Sequence, residues 1–138
     1  MQSKLNPYVN FKGDARKALE FYKTVFGGSL ELTTYKEGGM TDHQAVPDQI
    51  MHGLLSTDNG MTLMCADTPD GMSYSKGTNI SLSLSGDNEA ELTGYYNKLV
   101  DGGVVAEPLA KAPWGDTFGM VTDKFGIFWM VNIVAKKS

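Results

Sequence analysis

The stretch that decides the fold is GDARKALEFYKTVFGG, residues 13–28, because the chain repeats its pattern as GDNEAELTGYYNKLVDGG, residues 86–103. Both stretches begin with Gly-Asp, contain a pair of adjacent aromatic residues and end with Gly-Gly. The spacing between equivalent glycines grows from 73 residues at the start (86 − 13) to 75 at the end (102 − 27), as small insertions would leave it. The sequence therefore predicts two copies of one folding unit.

Each copy of the repeat predicts an amphipathic helix. Asp14 is placed to cap the first helix and Asp87 or Asn88 to cap the second. Gly27 and Gly102 stand where a left-handed residue commonly ends a helix. Between these limits the apolar residues fall at helical spacing, and they are Ala15, Ala18, Leu19, Tyr22, Val25 and Phe26 in the first helix and Leu92, Tyr95, Tyr96, Leu99 and Val100 in the second.

Strand-like runs surround both helices. They cover residues 5–12, 29–36, 49–57 and 61–67 in the first half and 78–85, 104–109, 116–122 and 126–134 in the second. Each half thus has the order strand, helix and three strands. We predict an α+β fold in which two β-α-β-β-β modules form a curved mixed sheet around a cleft. The single domain of 138 residues then consists of modules at about 1–67 and 78–138 with a linker near 68–77.

Composition narrows the classes of function. The net charge is −4, and the paired lysines near the C-terminus form no basic patch, so we expect no nucleic-acid partner. No apolar run reaches the length of a membrane span. The chain has one cysteine, Cys65, which rules out a disulfide within the chain. The first residues also lack a long apolar stretch of the secretory type, and we expect a cytoplasmic protein.

Residues 36–48, KEGGMTDHQAVPD, are polar and contain Gly and Pro, so they predict a loop and a candidate lid that carries His43. A solvated histidine is the simpler interpretation of His43. Residues 66–77, ADTPDGMSYSKG, are interpreted as the connection between the modules.

Four motifs spread over the chain resemble those of the vicinal oxygen chelate superfamily, and within it the PhnB-like branch. They are ALEFYKTVFGG at 18–28, DQIMHGLL at 48–55, WGD at 114–116 and TDKFGIFWMVN at 122–132. The resemblance implies the paired β-α-β-β-β fold and a homodimer. Some members carry the name 3-demethylubiquinone-9 3-methyltransferase, but the sequence lacks the Gly-rich strand-to-helix turn of a typical nucleotide-binding methyltransferase.

The resemblance also implies where metal-dependent members hold their ion. Matching residue by residue puts those positions at Pro7, Met64, Asn79 and Met130. Neither these residues nor their immediate neighbours include His, Asp or Glu. Thioether sulfur is a weak, soft ligand compared with imidazole or carboxylate. We therefore expect no metal site and no cofactor.

His52 is the most informative polar residue, because it interrupts the apolar run IMHGLL. It is either a catalytic base with a pKa suited to proton transfer or a buried, hydrogen-bonded strand histidine. Other residues are candidates for ligand binding because they lie on the predicted cleft face or at its rim: Met64, Asn79, Phe128, Met130, Asn132, Trp114 and Tyr35. Strand parity places Trp129 and Cys65 in the core instead.

Three functions remain open. The first is a metal-independent module that binds a small molecule in an apolar pocket with few polar anchors. The alternative is an enzyme of the lyase, isomerase or dioxygenase type that uses His52 as a base or an atypical metal site. The third is a dimer with a mainly structural or partner-binding role.

Overall fold

The computed structural model describes residues 2–135, and the chain divides into two compact units with the boundary between Lys76 and Gly77. The elements of the first unit are β1 (Tyr8–Phe11), α1 (Ala15–Phe26), β2 (Ser29–Thr34), β3 (Ile50–Ser56) and β4 (Thr62–Asp67). Those of the second are β5 (Leu82–Gly86), α2 (Glu89–Val100), β6 (Val104–Lys111), β7 (Thr117–Thr122) and β8 (Phe128–Ile133). The predicted order of strand, helix and three strands is confirmed in both units.

Each unit contains a four-stranded mixed sheet, and the two sheets have the same topology. The strand orders are β1-β4-β3-β2 and β5-β8-β7-β6. The first and fourth strands of each unit pair in parallel, and the other neighbours pair antiparallel. The helix between the first two strands of a unit covers one face of its sheet, which leaves the opposite face open.

The first strand of each unit is shorter than predicted. Residues 5–7 precede β1, and residues 78–81 precede β5. In the second unit the reason is register, because Leu82 pairs with Trp129 and β8 begins only at Phe128. Residues ahead of Leu82 therefore have little of β8 to pair with. At the other end of the first unit, β4 ends at Asp67, which is also the end of the predicted strand 61–67.

Both helices bury the apolar stripe that the sequence predicts, with small differences at the edges. In α1 the buried residues are Ala15, Ala18, Leu19, Phe21, Tyr22 and Val25, and in α2 they are Leu92, Tyr96 and Leu99. Phe21 was not in the predicted stripe, whereas Phe26, Tyr95 and Val100 are only half-buried. Trp129 and Cys65 are buried in the core, as predicted.

The two helices begin differently. Asn88 caps α2 as predicted, because its side-chain oxygen accepts a hydrogen bond from the backbone N–H of Glu91 at 3.1 Å. The prediction that Asp14 caps α1 was wrong, since its side chain makes no capping hydrogen bond. The carboxylate of Asp67 takes that role instead and accepts from the N–H groups of Gly13 and Ala15. A capping residue this far away in sequence leaves no local signal.

The last hairpin of each unit closes with the same turn. The N–H of Thr57 donates to the carbonyl of Met61, and the N–H of Asp123 donates to the carbonyl of Ile127. Different side chains hold the two turns. Thr57 uses its hydroxyl, whereas Asp123 uses a carboxylate that also accepts a 2.8 Å hydrogen bond from the indole Nε1 of Trp129.

Candidate functional site

The first open face is the side of the first sheet that points away from α1, and it carries Tyr8, Met64, Leu54 and His52. Gly53 shows which side of the sheet α1 covers, because a methyl group added there would overlap Cδ1 of Leu19 in α1. Its neighbours in β3 therefore point to the other side. Met64 pairs with Tyr8 on one strand and with Leu54 on another, so these side chains form one row across the sheet.

His52 and Tyr8 come together on this face. Their ring centroids are 5.9 Å apart, with an angle of 36° between the ring planes. His52 is half-buried, whereas Tyr8 keeps 46% of its surface exposed. Burial, with a smaller effect from Cys65, raises the pKa of the Tyr8 hydroxyl. Tyr8 is thus protonated at neutral pH and can donate a hydrogen bond. Catalysis by His52 stays a prediction.

The second open face is the side of the second sheet that points away from α2, and it carries Phe118, Met120, Phe128, Met130 and Asn132. Gly119 marks the covered side, because a methyl group there would lie 2.9 Å from Cε2 of Tyr96 in α2. Met120 pairs with Met130, and Phe118 pairs with Asn132. All five residues are half-buried. They form an apolar surface with one amide group.

Trp114 and Asp116 lie at the edge of the second open face, in the loop before β7. The indole ring of Trp114 packs edge-on against Phe118, with 5.5 Å between the ring centroids. Asn132 connects the two loop residues, since it accepts from Nε1 of Trp114 at 3.5 Å and donates to the carboxylate of Asp116 at 3.0 Å. The hydrogen bond from Asn132, and then that from the backbone N–H of Ala135, lower the pKa of Asp116.

Two predicted ligand-binding residues, Tyr35 and Asn79, do not belong to either open face. Tyr35 is buried, and its hydroxyl donates to the backbone carbonyl of Asp67. Its donor is therefore already used inside the first unit. The placement of Asn79 on the first strand of its unit was wrong, because Asn79 is exposed ahead of β5 and Ser83 is the residue that pairs with Met130. Ligand binding by Tyr35 and Asn79 stays a prediction.

The strand pairing also identifies the side chains at the positions where metal-dependent members of the superfamily carry their ligands. Tyr8, not Pro7, pairs with Met64, and Ser83 pairs with Met130. The first unit thus offers a phenol and a thioether at these positions and the second a hydroxyl and a thioether, whereas a divalent cation prefers imidazole and carboxylate. Among residues 2–135, no group of three or more His, Cys, Asp and Glu side chains is arranged to hold a metal ion. The residues present do not fit the implied ion.

The loop at residues 36–48 is tied to the segment that follows β4. The N–H of Gly71 donates to the carbonyl of His43 at 2.6 Å. A side chain at position 71 would overlap that carbonyl, so glycine is required there. His43 and Gln44 both have positive φ angles, which non-glycine residues rarely adopt. These contacts argue against a freely moving lid.

Four residues of the open faces were not among the predicted site residues, namely Tyr8, Leu54, Phe118 and Met120. The sequence contains a repeat spacing that predicts two of them, Phe118 and Met120. Gly53 and Gly119 are 66 residues apart (119 − 53), which is also the separation of Met64 and Met130. Applying that spacing to His52 and Leu54 leads to Phe118 and Met120. Tyr8 was only considered as a neighbour of Pro7.

Comparison with known proteins agrees with this architecture. A glyoxalase/bleomycin resistance protein/dioxygenase domain from Frankia sp. EAN1pec has the same fold, with a TM-score of 0.66, 11% identity, and coverage of 96% of this chain and 98% of that one. The PhnB protein from Bacillus cereus superimposes with a TM-score of 0.76 at 24% identity, over 96% of this chain and all of that chain. The fold is thus that of the glyoxalase and bleomycin-resistance proteins.

The pattern of the family described as 3-demethylubiquinone-9 3-methyltransferase matches residues 3–132. Protein PA1353 from Pseudomonas aeruginosa is 34% identical, with a TM-score of 0.83 over 98% of this chain and 100% of that chain. The chain belongs to this family, the PhnB-like branch of the vicinal oxygen chelate superfamily. In the part of the chain that the structure describes, neither helix is long and apolar enough to cross a membrane.

Proposed function

We propose that the protein binds a small molecule without a metal ion, and that the ligand lies against the second open face. The observation that carries this proposal is the apolar surface formed by Phe118, Met120, Phe128 and Met130, none of which is fully buried. Ligand sites are typically apolar with a small number of polar groups that fix orientation. Asn132 provides such a group on this face, opposite Phe118.

The chemistry of the two methionines supports the same function. Their thioether side chains are flexible and polarizable, so they adapt to ligands of different shape. Met120 and Met130 are direct partners in neighbouring strands, which places two such side chains together. A surface of this kind binds through shape and apolar contact, and it needs no Lewis acid.

The test is a ligand screen followed by NMR of protein labelled with ¹³C at the methionine methyl groups. Met120 and Met130 are assigned from the signals lost in Met120→Leu and Met130→Leu variants. We expect small apolar molecules to shift these two signals and Met130→Gln to weaken their binding. The matched control is Met72→Gln, because Met72 is 46% exposed in the first unit. Equal affinities of the two Gln variants would contradict the proposal.

We further propose that the protein is a homodimer, as the resemblance to the superfamily suggests. We also propose that it works in the reducing environment of the cytoplasm, which suits its single free cysteine, Cys65. Native mass spectrometry at micromolar protein tests the dimer. A mass of one chain, 15.0 kDa, across the concentration range would contradict it.

A further inference from the structure

Trp114 presents its indole ring to solvent from a fixed position. Trp114 is 62% exposed, which is unusual for so large an apolar residue. Two contacts orient it nevertheless, the edge-on packing against Phe118 and a long hydrogen bond of 3.5 Å from Nε1 to Asn132. A side chain held in place with its aromatic surface uncovered is suited to contact a ligand, since binding then costs little side-chain entropy.

Asn132 couples this ring to a negative charge. Its oxygen accepts from Trp114, and its amide nitrogen donates to Oδ2 of Asp116 at 3.0 Å. Oδ1 of Asp116 accepts from the backbone N–H of Ala135 at 2.9 Å. Both hydrogen bonds favour the ionised carboxyl, whose pKa is lowered. An aromatic ring and a fixed carboxylate therefore lie on either side of one amide group.

The strands of the second sheet provide no cation to balance this charge on the open face. Lys111 is the one basic residue in β5–β8 as the structure describes them. It pairs with Thr117, which has the strand parity of Gly119 and so belongs to the side covered by α2. Glu107 of β6 pairs with Met120 and is also acidic. The charged side chains that the described strands and the loop before β7 bring to this apolar surface, Asp116 and Glu107, are thus both negative.

We propose that Trp114, Asn132 and Asp116 form a recognition element for a positively charged nitrogen, such as a protonated amine or a quaternary ammonium group, on an otherwise apolar ligand. This inference rests on the proposed binding function and adds the class of ligand. The cation contacts the face of the indole and the carboxylate of Asp116. The apolar part of the same molecule lies on Met120 and Met130.

Three probes of matched size test the inference. They are 1-naphthylmethylamine, which is a cation at neutral pH, the neutral 1-naphthylmethanol and the anion 1-naphthylacetate. Each is titrated into the full chain labelled at the methionine methyl groups, and the shifts of Met120 and Met130 report binding at the second open face. We expect the amine to bind about tenfold more tightly than the alcohol, and the anion to bind more weakly than either.

Variants test whether the preference for the amine over the alcohol comes from the recognition element. Asp116→Asn should remove the advantage of the amine over the alcohol, and Trp114→Leu should weaken both. The control is Asp87→Asn, a matched change of an exposed aspartate ahead of α2, which should leave the advantage intact.

The two proposals fail differently in this experiment. If the alcohol binds as tightly as the amine and shifts the same methionine signals, the charge preference is overturned while ligand binding at this face stands. The preference is also overturned if Asp116→Asn retains the advantage of the amine. If no probe shifts Met120 or Met130 at millimolar concentration, the binding function is contradicted and the inference with it.

Discussion

The carboxylate of Asp67 caps the N-terminus of α1 by accepting a 3.0 Å hydrogen bond from the backbone N–H of Ala15, 52 residues earlier in the chain. The same oxygen accepts from Gly13, and the second oxygen accepts from the N–H of Ile50 at the start of β3. Asp67 is only 2% exposed. One buried side chain therefore joins β4 to α1 and to β3.

We expect Asp67→Asn to lower the free energy of unfolding by about 2 kcal/mol, because the amide nitrogen would replace an acceptor and leave buried N–H groups without a partner. Asp70→Asn is the matched control. Asp70 is about half exposed and 3.8 Å from Lys12, so its change should cost less than about 0.5 kcal/mol. Urea unfolding followed by circular dichroism measures both. Indistinguishable midpoints for the two variants would refute the capping role.

Glycine-to-alanine changes should have opposite effects at two positions. Gly94 lies within α2, and a methyl group there meets nothing within 4 Å. Gly94→Ala should stabilise the protein by about 0.5–1 kcal/mol, since glycine is a poor helix former. Gly53→Ala would push against Leu19 and should destabilise it by about 1–3 kcal/mol. Thermal unfolding separates these outcomes, and a stabilised Gly53→Ala variant would show that α1 is not packed there.

Asp116 should contribute a pH-dependent part of the stability. Its folded-state pKa is lowered first by the hydrogen bond from Asn132 and then by that from Ala135. The contribution is therefore complete above the ordinary aspartate pKa of about 3.9, and it is lost as the pH falls through the lower folded-state value. The melting temperature of Asp116→Asn should be below that of the wild type at neutral pH and approach it near pH 2. A pH-independent difference would contradict this.

The hydrogen bond from Asn132 also predicts how the pKa of Asp116 responds to a substitution. In Asn132→Ala, the pKa of Asp116 should rise toward its ordinary value, because the larger of the two causes is removed. Carbon-13 NMR of the side-chain carboxyl group during an acid titration measures the change. The carboxyl of Glu37 in the first unit, whose pKa is lowered by hydrogen bonds with Thr34, serves as an internal reference and should titrate identically in both proteins. An unchanged pKa of Asp116 would contradict the prediction.

His52→Gln should leave the protein folded. The side chain is half-buried on the open face of β3, so we expect the free energy of unfolding to change by no more than about 1 kcal/mol. Chemical denaturation checks this value. A loss several times larger would assign His52 to the core of the first unit and would end its candidacy as a catalytic base.

Much of the fold was predictable because its signals are local. The two helices follow from apolar residues at helical spacing, and β8 follows from strict alternation in FWMVNI, residues 128–133. The same alternation placed Phe128, Met130 and Asn132 on one face opposite Trp129. These patterns depend only on near neighbours in the chain.

The parts that were missed depend on distant partners. Asp67 caps α1 from 52 residues away, and the hydroxyl of Tyr35 is used by a carbonyl 32 residues away. The start of β5 is set by its parallel pairing with β8, which follows it by more than 40 residues. Neither composition nor periodicity near these residues reports such contacts. The sequence therefore predicts the surface of β8, but it predicts neither the hydrogen bond that uses the Tyr35 hydroxyl nor the register that leaves Asn79 ahead of β5.

The equivalent glycines Gly53 and Gly119 each let a helix approach the third strand of its unit. The residue before each glycine differs, with imidazole at His52 and phenyl at Phe118. If both halves descend from one ancestral gene segment, that segment coded for one side chain at this place. At least one of the two has been replaced since the duplication, while the backbone requirement at the glycine persisted. Comparing the two halves thus separates positions that need glycine, 53 and 119, from positions that accept different side chains, 52 and 118.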